Sequence, residues 1–382
     1  MSARYGPNMT TGTGSSFVAP TSTRALVAKG PGSPFELEEI ELDGLRDGEV
    51  LVRVVATGLC HTDLTVGSMF PPEFFPRVLG HEGAGIVVET GPGVTDVKTG
   101  DHVVMSFHAC RSCANCAELG PGYCAETLML NYMGMRADGS TTYRKGDQPV
   151  FGSFFGQSSF GEFAIASGEN LVVVDPALDL KRLGPYGCSF QTGAGTVFNV
   201  LKTAPEDTLV VYGVGAVGLA ALAAAASVGA RTFAVDLKPE RLTAAARFGA
   251  IGIEAAGLEP AEVAAAVVEA TGGPNGHRQA IDTTGVPSVV RTAVSAVGAR
   301  GEVVALGLNA PEYTVDAIDL LQGGKTLRSS VEGDSDPQVT IPRLLELELP
   351  LDHLIREYPA ADINQAAADL ESGAAIKPVL VW

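Results

Sequence analysis

Six cysteines occur in this chain of 382 residues, and four of them lie close together. Their spacing is C-x2-C-x2-C-x7-C, formed by Cys110, Cys113, Cys116 and Cys124. Four thiolates this close in sequence can surround one tetrahedral zinc ion, in a closed site with no open position for chemistry. Bacterial iron–sulfur motifs begin with the same spacing but continue with x3-C-P. The longer last gap and the following Ala125 therefore favour a structural zinc.

The other two cysteines, Cys60 and Cys188, lie far from this array and from each other. His81 follows Cys60 by 21 residues. Gly58 lies two residues before Cys60 and Gly80 lies directly before His81, and both glycines predict turns. A single cysteine is usually an apolar core residue, and a single histidine is usually structural. Two thiolates and one imidazole together, however, form the ligand set of an open, catalytic zinc site. Asp63 is the predicted carboxylate that orients His81.

A glycine-rich turn separates a short apolar segment at 208–212 from an alanine-rich segment. It contains Gly213, Gly215 and Gly218 in the order G-x-G-x-x-G. The first glycine permits a tight turn, the second lets a pyrophosphate approach the backbone, and the third permits close packing of strand and helix. The start of the helix adds free N–H groups that face the phosphates. Between a strand and a helix, the motif predicts dinucleotide binding.

Asp236 lies 18 residues after Gly218, at the end of the next predicted strand. A carboxylate there can accept hydrogen bonds from the adenosine ribose and would repel a 2′-phosphate, which predicts NAD. Lys238 and Arg241 lie close enough to soften that repulsion, so the strictness of NAD over NADP stays open.

The order of the predicted elements indicates the fold. Residues 24–190 contain short β-branched segments separated by Gly, Pro and Asp turns, which predict strands. From 191 to 330, predicted strands alternate with helices, as in βαβ units with a parallel sheet. The region 331–382 returns to short helices and a final strand. We expect an α/β fold, with a doubly wound Rossmann domain inserted in a discontinuous β-rich catalytic domain, after a flexible tail at 1–23.

The composition excludes several classes of partner. With 46% hydrophobic and 18% charged residues, it is that of a globular protein. A formal net charge of −18 leaves no basic surplus for nucleic acid or an anionic membrane. The N-terminus has no apolar signal segment, and the apolar stretch 219–228 is about half a membrane span long. We therefore expect a cytoplasmic protein with neither partner, and thiols that are free or bound to metal.

Taken together, the motifs resemble those of the zinc-dependent medium-chain alcohol dehydrogenases. The resemblance rests on segments 58–63 and 78–87, followed in the family's order by the four-cysteine lobe and the glycine turn. It extends from about residue 25 to the end of the chain. Segments 152–160 and 183–188 are also similar to the bacterial aryl (benzyl-type) alcohol dehydrogenases.

This resemblance implies a GroES-like catalytic domain, two zinc ions in each subunit, and NAD. The structural zinc would lie in a lobe at about 108–126. Cys60, His81 and Cys188 would bind the catalytic zinc, with Glu82 behind the metal as an occasional ligand.

Further cofactor contacts are implied in the same way. Thr192 and Val217 would pack on the nicotinamide, and Asp236 and Arg241 would hold the adenosine ribose. Lys377 lies where the family has a basic residue near the pyrophosphate.

The predicted proton path departs from the family. Thr62 would hydrogen-bond the alcohol oxygen, and Asp63 would hold the zinc-binding histidine. Some members end the path at a histidine five residues after the first cysteine, where this chain has Thr65. His61 could take over the relay or contact the pyrophosphate.

The expected reaction is reversible hydride transfer from a primary, aromatic or allylic alcohol to NAD. Phe107, Phe70 and Met69 are candidates for an apolar substrate channel, with ordinary core packing as their alternative. Two other functions stay open: a glutathione-dependent formaldehyde dehydrogenase, and a non-catalytic protein that binds zinc and nucleotide. By analogy with the family, we expect a homodimer or homotetramer.

Overall fold

The computed structural model of the chain describes residues 21–382. The strands are β1 (Ser22–Ala28), β2 (Phe35–Leu42), β3 (Glu49–Gly58), β4 (Arg77–Val78), β5 (Glu82–Thr90), β6 (His102–Met105), β7 (Tyr143–Lys145), β8 (Gln148–Val150), β9 (Phe163–Ser167), β10 (Leu171–Val174), β11 (Thr208–Tyr212), β12 (Arg231–Asp236), β13 (Ile251–Glu254), β14 (Gln279–Asp282), β15 (Glu302–Ala305), β16 (Thr326–Ser329), β17 (Ile355–Pro359) and β18 (Lys377–Val381). The helices are α1 (His61–Met69), α2 (Ala114–Glu118), α3 (Thr127–Asn131), α4 (Ser189–Gly195), α5 (Ala216–Ser227), α6 (Pro239–Ala246), α7 (Pro260–Thr271), α8 (Pro287–Ala296), α9 (Ala317–Gly323), α10 (Pro337–Glu346) and α11 (Ile363–Ser372).

The predicted tail, 1–23, lies outside the described residues as far as residue 20. Its last two residues, Ser22 and Thr23, already belong to β1, where they pair with β2. Strand β1 therefore begins within the segment that the sequence assigns to the tail.

A parallel sheet forms one half of the described chain, in the order β13-β12-β11-β14-β15-β16. Alternate residues of β11 enter two different cores: Val211 packs on one face and Val210 on the other, and both are fully buried. Burial on both faces explains the continuous apolar sequence of this strand. The strand order reverses between β11 and β14, which is where open parallel sheets bind ligands.

Two further sheets, mainly antiparallel, form the other half. One has the order β4-β1-β2-β7-β8, and the other has the order β10-β6-β5-β3-β18-β17 with β9 also paired to β3. The C-terminal strand β18 lies beside β3, with Val379 opposite Gly58. This pairing places the end of the chain next to the strand that leads to Cys60. The α/β fold class is confirmed, whereas the exact domain boundaries stay a prediction.

An ion-pair cluster fixes the start of β3. The Arg136 guanidinium donates to Glu49 Oε1 at 2.6 Å and to Asp43 Oδ2 at 2.5 Å. Its side chain is only 9% exposed, so its charge depends on these two carboxylates. The cluster ties the loop before β7 to the ends of β2 and β3.

Replacing Arg136 by alanine should lower the free energy of unfolding by about 2–3 kcal/mol, because two half-buried carboxylates lose their cation. The matched control is Arg144→Ala, which removes the ion pair between Arg144 and Glu41. The side chains of these two residues are 51% and 39% exposed, respectively. That change should cost less than about 1 kcal/mol. Chemical denaturation followed by circular dichroism measures both losses, and equal losses would contradict the stabilising role of the Arg136 ion pairs.

Candidate active site

Asp63 organises the first group of functional residues. Cys60 follows β3 and precedes α1, and its N–H donates to Asp63 Oδ2 at 3.0 Å. The other carboxylate oxygen lies 2.7 Å from His81 Nδ1 and accepts the Gly80 N–H at 3.1 Å. Asp63 and His81 are both 0% exposed. The carboxylate therefore retains the proton on Nδ1 and leaves His81 Nε2 as the free nitrogen.

The donor atoms converge on one point. Cys60, His81, Glu82 and Cys188 place ligand atoms within 4.8 Å of one another. His81 Nε2 is buried and has no hydrogen-bond partner among the described residues. A buried nitrogen without a partner, next to two thiols, fits a metal ligand. Two sulfurs and one nitrogen suit zinc and leave a fourth position open.

Glu82 faces a buried cation. The Lys377 ammonium donates to the two carboxylate oxygens of Glu82 at 2.9 and 2.8 Å, and also to Leu59 O at 3.3 Å. Burial alone would lower the pKa of Lys377, but the charges of Glu82 and Cys60 outweigh it and raise that pKa. Lys377 also lines the cleft described next, yet its ammonium is held by Glu82. Its predicted contact with a pyrophosphate stays a prediction.

A cleft of about 750 Å³ runs from Cys60, one of the metal donors, to the glycine turn. Its lining includes residues predicted from both motifs: Cys60, His61, Thr62, Gly213, Gly215, Val217, Asp236, Arg241 and Lys377. The volume suits an extended cofactor. The structure thus brings the two sets of sequence-predicted residues to one place.

Each glycine of the turn has a distinct environment. Gly213 has φ +80°, which favours glycine. A Cβ on Gly218 would lie 2.2 Å from Gly213 O, so the helix packs directly on the turn. A Cβ on Gly215 would meet nothing within 4 Å, because this residue faces the cleft. These environments fit a tight turn at the first glycine, an open backbone at the second and close packing of strand and helix at the third.

Asp236 ends β12 at the edge of the cleft. Its carboxylate accepts the N–H groups of Val214 and Lys238, each at 2.9 Å. Arg241 Nη1 lies 3.7 Å from Asp236 Oδ2, and Arg241 Nε is buried without a partner among the described residues. An acidic and a basic group therefore stand together where the ribose is predicted.

The four-cysteine lobe forms the second cluster, with all four sulfurs within 4.8 Å of one another. Cys113 Sγ accepts the N–H groups of Cys116 and Ala125, each at 3.4 Å. Backbone hydrogen bonds from Ser112 and Cys113 lower the pKa of the Cys110 thiol to about 6. Amide donors stabilise thiolates, so the lobe fits a four-sulfur metal site.

The three predicted channel residues do not line the cleft. Phe107 is 6% exposed in the core, and Met69 is 74% exposed at the surface. The guanidinium of Arg77 lies 3.5 Å above the ring of Phe70. Their part in substrate binding stays a prediction.

Other aromatic rings lie against the metal donors. The ring centroids of His81 and Phe155 are 4.6 Å apart, and Phe154 meets His81 edge-on at 5.7 Å. Tyr132 packs on Phe155 at 5.4 Å. Burial raises the pKa of Tyr132 to about 12, so its hydroxyl stays protonated at neutral pH.

The sequence did not indicate Glu332, which the structure brings to the site. Thr192 Oγ1 donates to Glu332 Oε2 at 2.9 Å, although the two residues are 140 positions apart. The only local signal is the Glu-Gly-Asp order at 332–334, which predicts a turn and no partner. Thr62, by contrast, is a residue that the sequence predicted. Its hydroxyl lies 3.7 Å from the sulfur of Cys60, two residues earlier in the chain.

A set of metal donors beside a cleft that runs to a G-x-G-x-x-G turn is typical of a metal-dependent dehydrogenase, and comparison with known proteins agrees. Residues 46–175 match the alcohol dehydrogenase GroES-like domain family. Residues 216–347 match the zinc-binding dehydrogenase family.

Individual relatives span almost the whole chain. The geraniol dehydrogenase of Castellaniella defragrans is 41% identical, over 94% of this chain and 98% of its own. The NDMA-dependent alcohol dehydrogenase of Amycolatopsis methanolica is 38% identical, with the same coverage. The crystal structure of benzyl alcohol dehydrogenase from Acinetobacter calcoaceticus superposes with a TM-score of 0.88 at 38% identity, over 94% and 99% of the two chains.

This chain therefore belongs to the zinc-dependent alcohol dehydrogenase family. The predicted family, enzyme class and cofactors, zinc and NAD, are confirmed at this level. Within residues 21–382, no helix is both long and apolar enough to cross a membrane.

The two cysteine clusters predict different consequences of mutation. Cys113→Ser should remove one zinc per subunit and lower the melting temperature by about 5 °C or more, because the lobe loses its metal. Cys188→Ser should remove the other zinc and abolish turnover, with a smaller change in melting temperature. Metal analysis and thermal unfolding measure both. Full stability with lost turnover in Cys113→Ser would contradict the structural assignment.

The glycine turn offers a second matched pair. Gly218→Ala should lower the free energy of unfolding by about 1–3 kcal/mol, since its Cβ would clash with backbone. Gly215→Ala has room and should leave stability nearly unchanged, but should weaken NAD binding about tenfold or more by obstructing the phosphates. Denaturation and NADH fluorescence titration separate the effects. Unchanged NAD affinity in Gly215→Ala would refute the predicted approach.

Proposed function

We propose that this protein oxidises primary alcohols whose carbinol carbon is attached to an aromatic ring or a carbon–carbon double bond, with NAD as the acceptor. The observation that carries the proposal is the position of Cys60, Thr62 and His61 in the same cleft as the glycine turn. An alcohol held at Cys60 and Thr62 and a nicotinamide held at the glycine turn could meet only where both sets of groups adjoin.

We assign the metal ligands from the two clusters. Cys60, His81 and Cys188 hold the catalytic zinc, and Cys110, Cys113, Cys116 and Cys124 hold the structural zinc. Glu82 is paired with Lys377 and serves as an occasional ligand. When bound, zinc supplies a Lewis acid for the alcohol oxygen and NAD supplies the hydride acceptor.

The remaining roles belong to side chains in the cleft and next to it. Thr62 accepts the alcohol proton through its hydroxyl and passes it toward His61, whose ring is exposed to the cleft. Asp63 maintains the orientation of the histidine ligand by its hydrogen bond at 2.7 Å. Thr192 and Val217 pack on the nicotinamide.

The aromatic rings beside His81 support an unsaturated substrate. Phe155 packs on His81 and Tyr132 packs on Phe155, so an aromatic cluster lies next to one metal donor, outside the lining of the cleft. Aromatic pairs gain about 0.5–1.5 kcal/mol beyond area burial. Relatives named for geraniol and for benzyl alcohol agree with this choice. Phe107, Phe70 and Met69 would extend the apolar path outward.

The cofactor preference and the larger organisation are also proposals. Asp236 disfavours a 2′-phosphate, with Arg241 beside it. Residues 191–330 form the NAD-binding domain, and 24–190 with 331–382 form the catalytic domain. We infer a cytoplasmic homodimer or homotetramer by analogy with the family.

The test is a substrate panel followed by NADH absorbance. Benzyl alcohol should exceed its saturated analogue cyclohexylmethanol in kcat/KM by about fivefold or more, NAD should exceed NADP, and a zinc chelator should abolish turnover. A preference for the S-hydroxymethyl adduct of glutathione would favour the formaldehyde dehydrogenase alternative. No turnover on any alcohol would favour a non-catalytic protein.

A further inference from the structure

Glu332 lies in the connection between β16 and α10, yet its carboxylate reaches α4 beside the metal donors. Glu332 Oε2 accepts the hydroxyl of Thr192 at 2.9 Å and the side-chain N–H of Gln191 at 3.3 Å. Gln191 Nε2 also donates to Ser106 Oγ at 2.7 Å. The carboxylate therefore ties the first turn of α4, which follows Cys188, to a distant loop.

The hydrogen bond restricts Thr192. Threonine has a β-branched side chain with few χ1 rotamers, and fixing the hydroxyl also fixes the direction of the methyl group. The carboxylate of Glu332 therefore decides which surface Thr192 presents to its surroundings.

The turn that carries Glu332 has an unusual backbone. Glu332, Gly333 and Asp334 have φ values of 51°, 65° and 50°, all left-handed, although only the middle residue is glycine. A Cβ on Gly333 would lie 2.6 Å from Thr192 O, so the turn packs directly on α4. Such a conformation persists only where its surroundings hold it.

The four-cysteine lobe holds this turn. The hydroxyl of Tyr123, next to Cys124, donates to Asp334 Oδ1 at 2.6 Å. Arg111, next to Cys110, donates to the two oxygens of Asp336 at 3.0 and 2.9 Å. Bidentate pairs of this kind fix direction as well as distance. The lobe thus makes hydrogen bonds with Asp334 and Asp336, two residues that follow Glu332 in the same connection.

We propose that Glu332 is a positioning residue for Thr192, and that the four-cysteine lobe sets the position of Glu332 through Tyr123 and Arg111. The closed cluster then serves the active site as well as stability. The inference rests on the proposed function only in placing Thr192 beside the nicotinamide.

The variants are Glu332→Gln, Tyr123→Phe and their combination in the zinc-loaded enzyme. Glu332→Gln should lower kcat for benzyl alcohol about tenfold, because Thr192 and Gln191 lose the carboxyl group that accepts from both of them, with two zinc ions retained. Tyr123→Phe should lower kcat about threefold, and the double variant should be no slower than Glu332→Gln, because both act through one contact. Glu348→Gln is the control, since Glu348 is also left-handed, with φ 45°, but exposed.

Hydrogen–deuterium exchange without substrate gives an independent readout. Amides of residues 189–196 should exchange faster in Glu332→Gln and in Tyr123→Phe than in the wild-type protein. In Glu348→Gln their exchange rates should be unchanged. Unchanged exchange in Tyr123→Phe, or fully multiplicative losses of kcat in the double variant, would overturn the inference. If the wild-type protein oxidises no alcohol while exchange rises in both variants, the proposed function fails and the positioning of α4 stands.

Discussion

The hydrogen bonds of one buried carboxylate organise the metal-binding side of this protein. Asp63 accepts the N–H of Cys60 and lies 2.7 Å from His81 Nδ1, so it connects the end of β3 to the residue before β5. Because both contacts are made by protein groups, the imidazole is oriented, and the backbone that carries the Cys60 thiol is fixed, before any metal arrives. Glu82 and Lys377 extend this arrangement to β18 with a second buried contact. Metal affinity therefore depends on a rigid scaffold rather than on the ligands alone.

The parallel sheet supplies the opposite wall of the cleft. The ends of β11 and β12 lie side by side, with Tyr212 opposite Val235, so the glycine turn and Asp236 emerge at the same edge. The reversal of strand order next to β11 opens the space that a dinucleotide requires. The cleft is thus a consequence of sheet topology, and the antiparallel sheets bring Cys60 and Thr62 to its mouth.

Sequence predicted the features that depend on local spacing. Each of these features is recognised within a short segment. The spacing of the four cysteines predicts a four-thiolate metal site, the G-x-G-x-x-G turn predicts dinucleotide binding, and the strand–helix alternation predicts a parallel sheet. Contacts across long stretches could not be read in this way. The pairing of Lys377 with Glu82 and of Glu332 with Thr192 depends on how distant turns pack. The aromatic cluster at His81 includes Phe155, whose left-handed backbone no local pattern indicated.

The most direct test of the central claim is anomalous diffraction at the zinc absorption edge from crystals of the zinc-loaded protein. Two peaks per subunit are expected: one within the four-cysteine lobe, and one at bonding distance from Cys60 Sγ, Cys188 Sγ and His81 Nε2. In the same map, Asp63 should remain hydrogen-bonded to His81 Nδ1. A single peak in the lobe, or a His81 ring turned so that Nδ1 faces the metal, would contradict it.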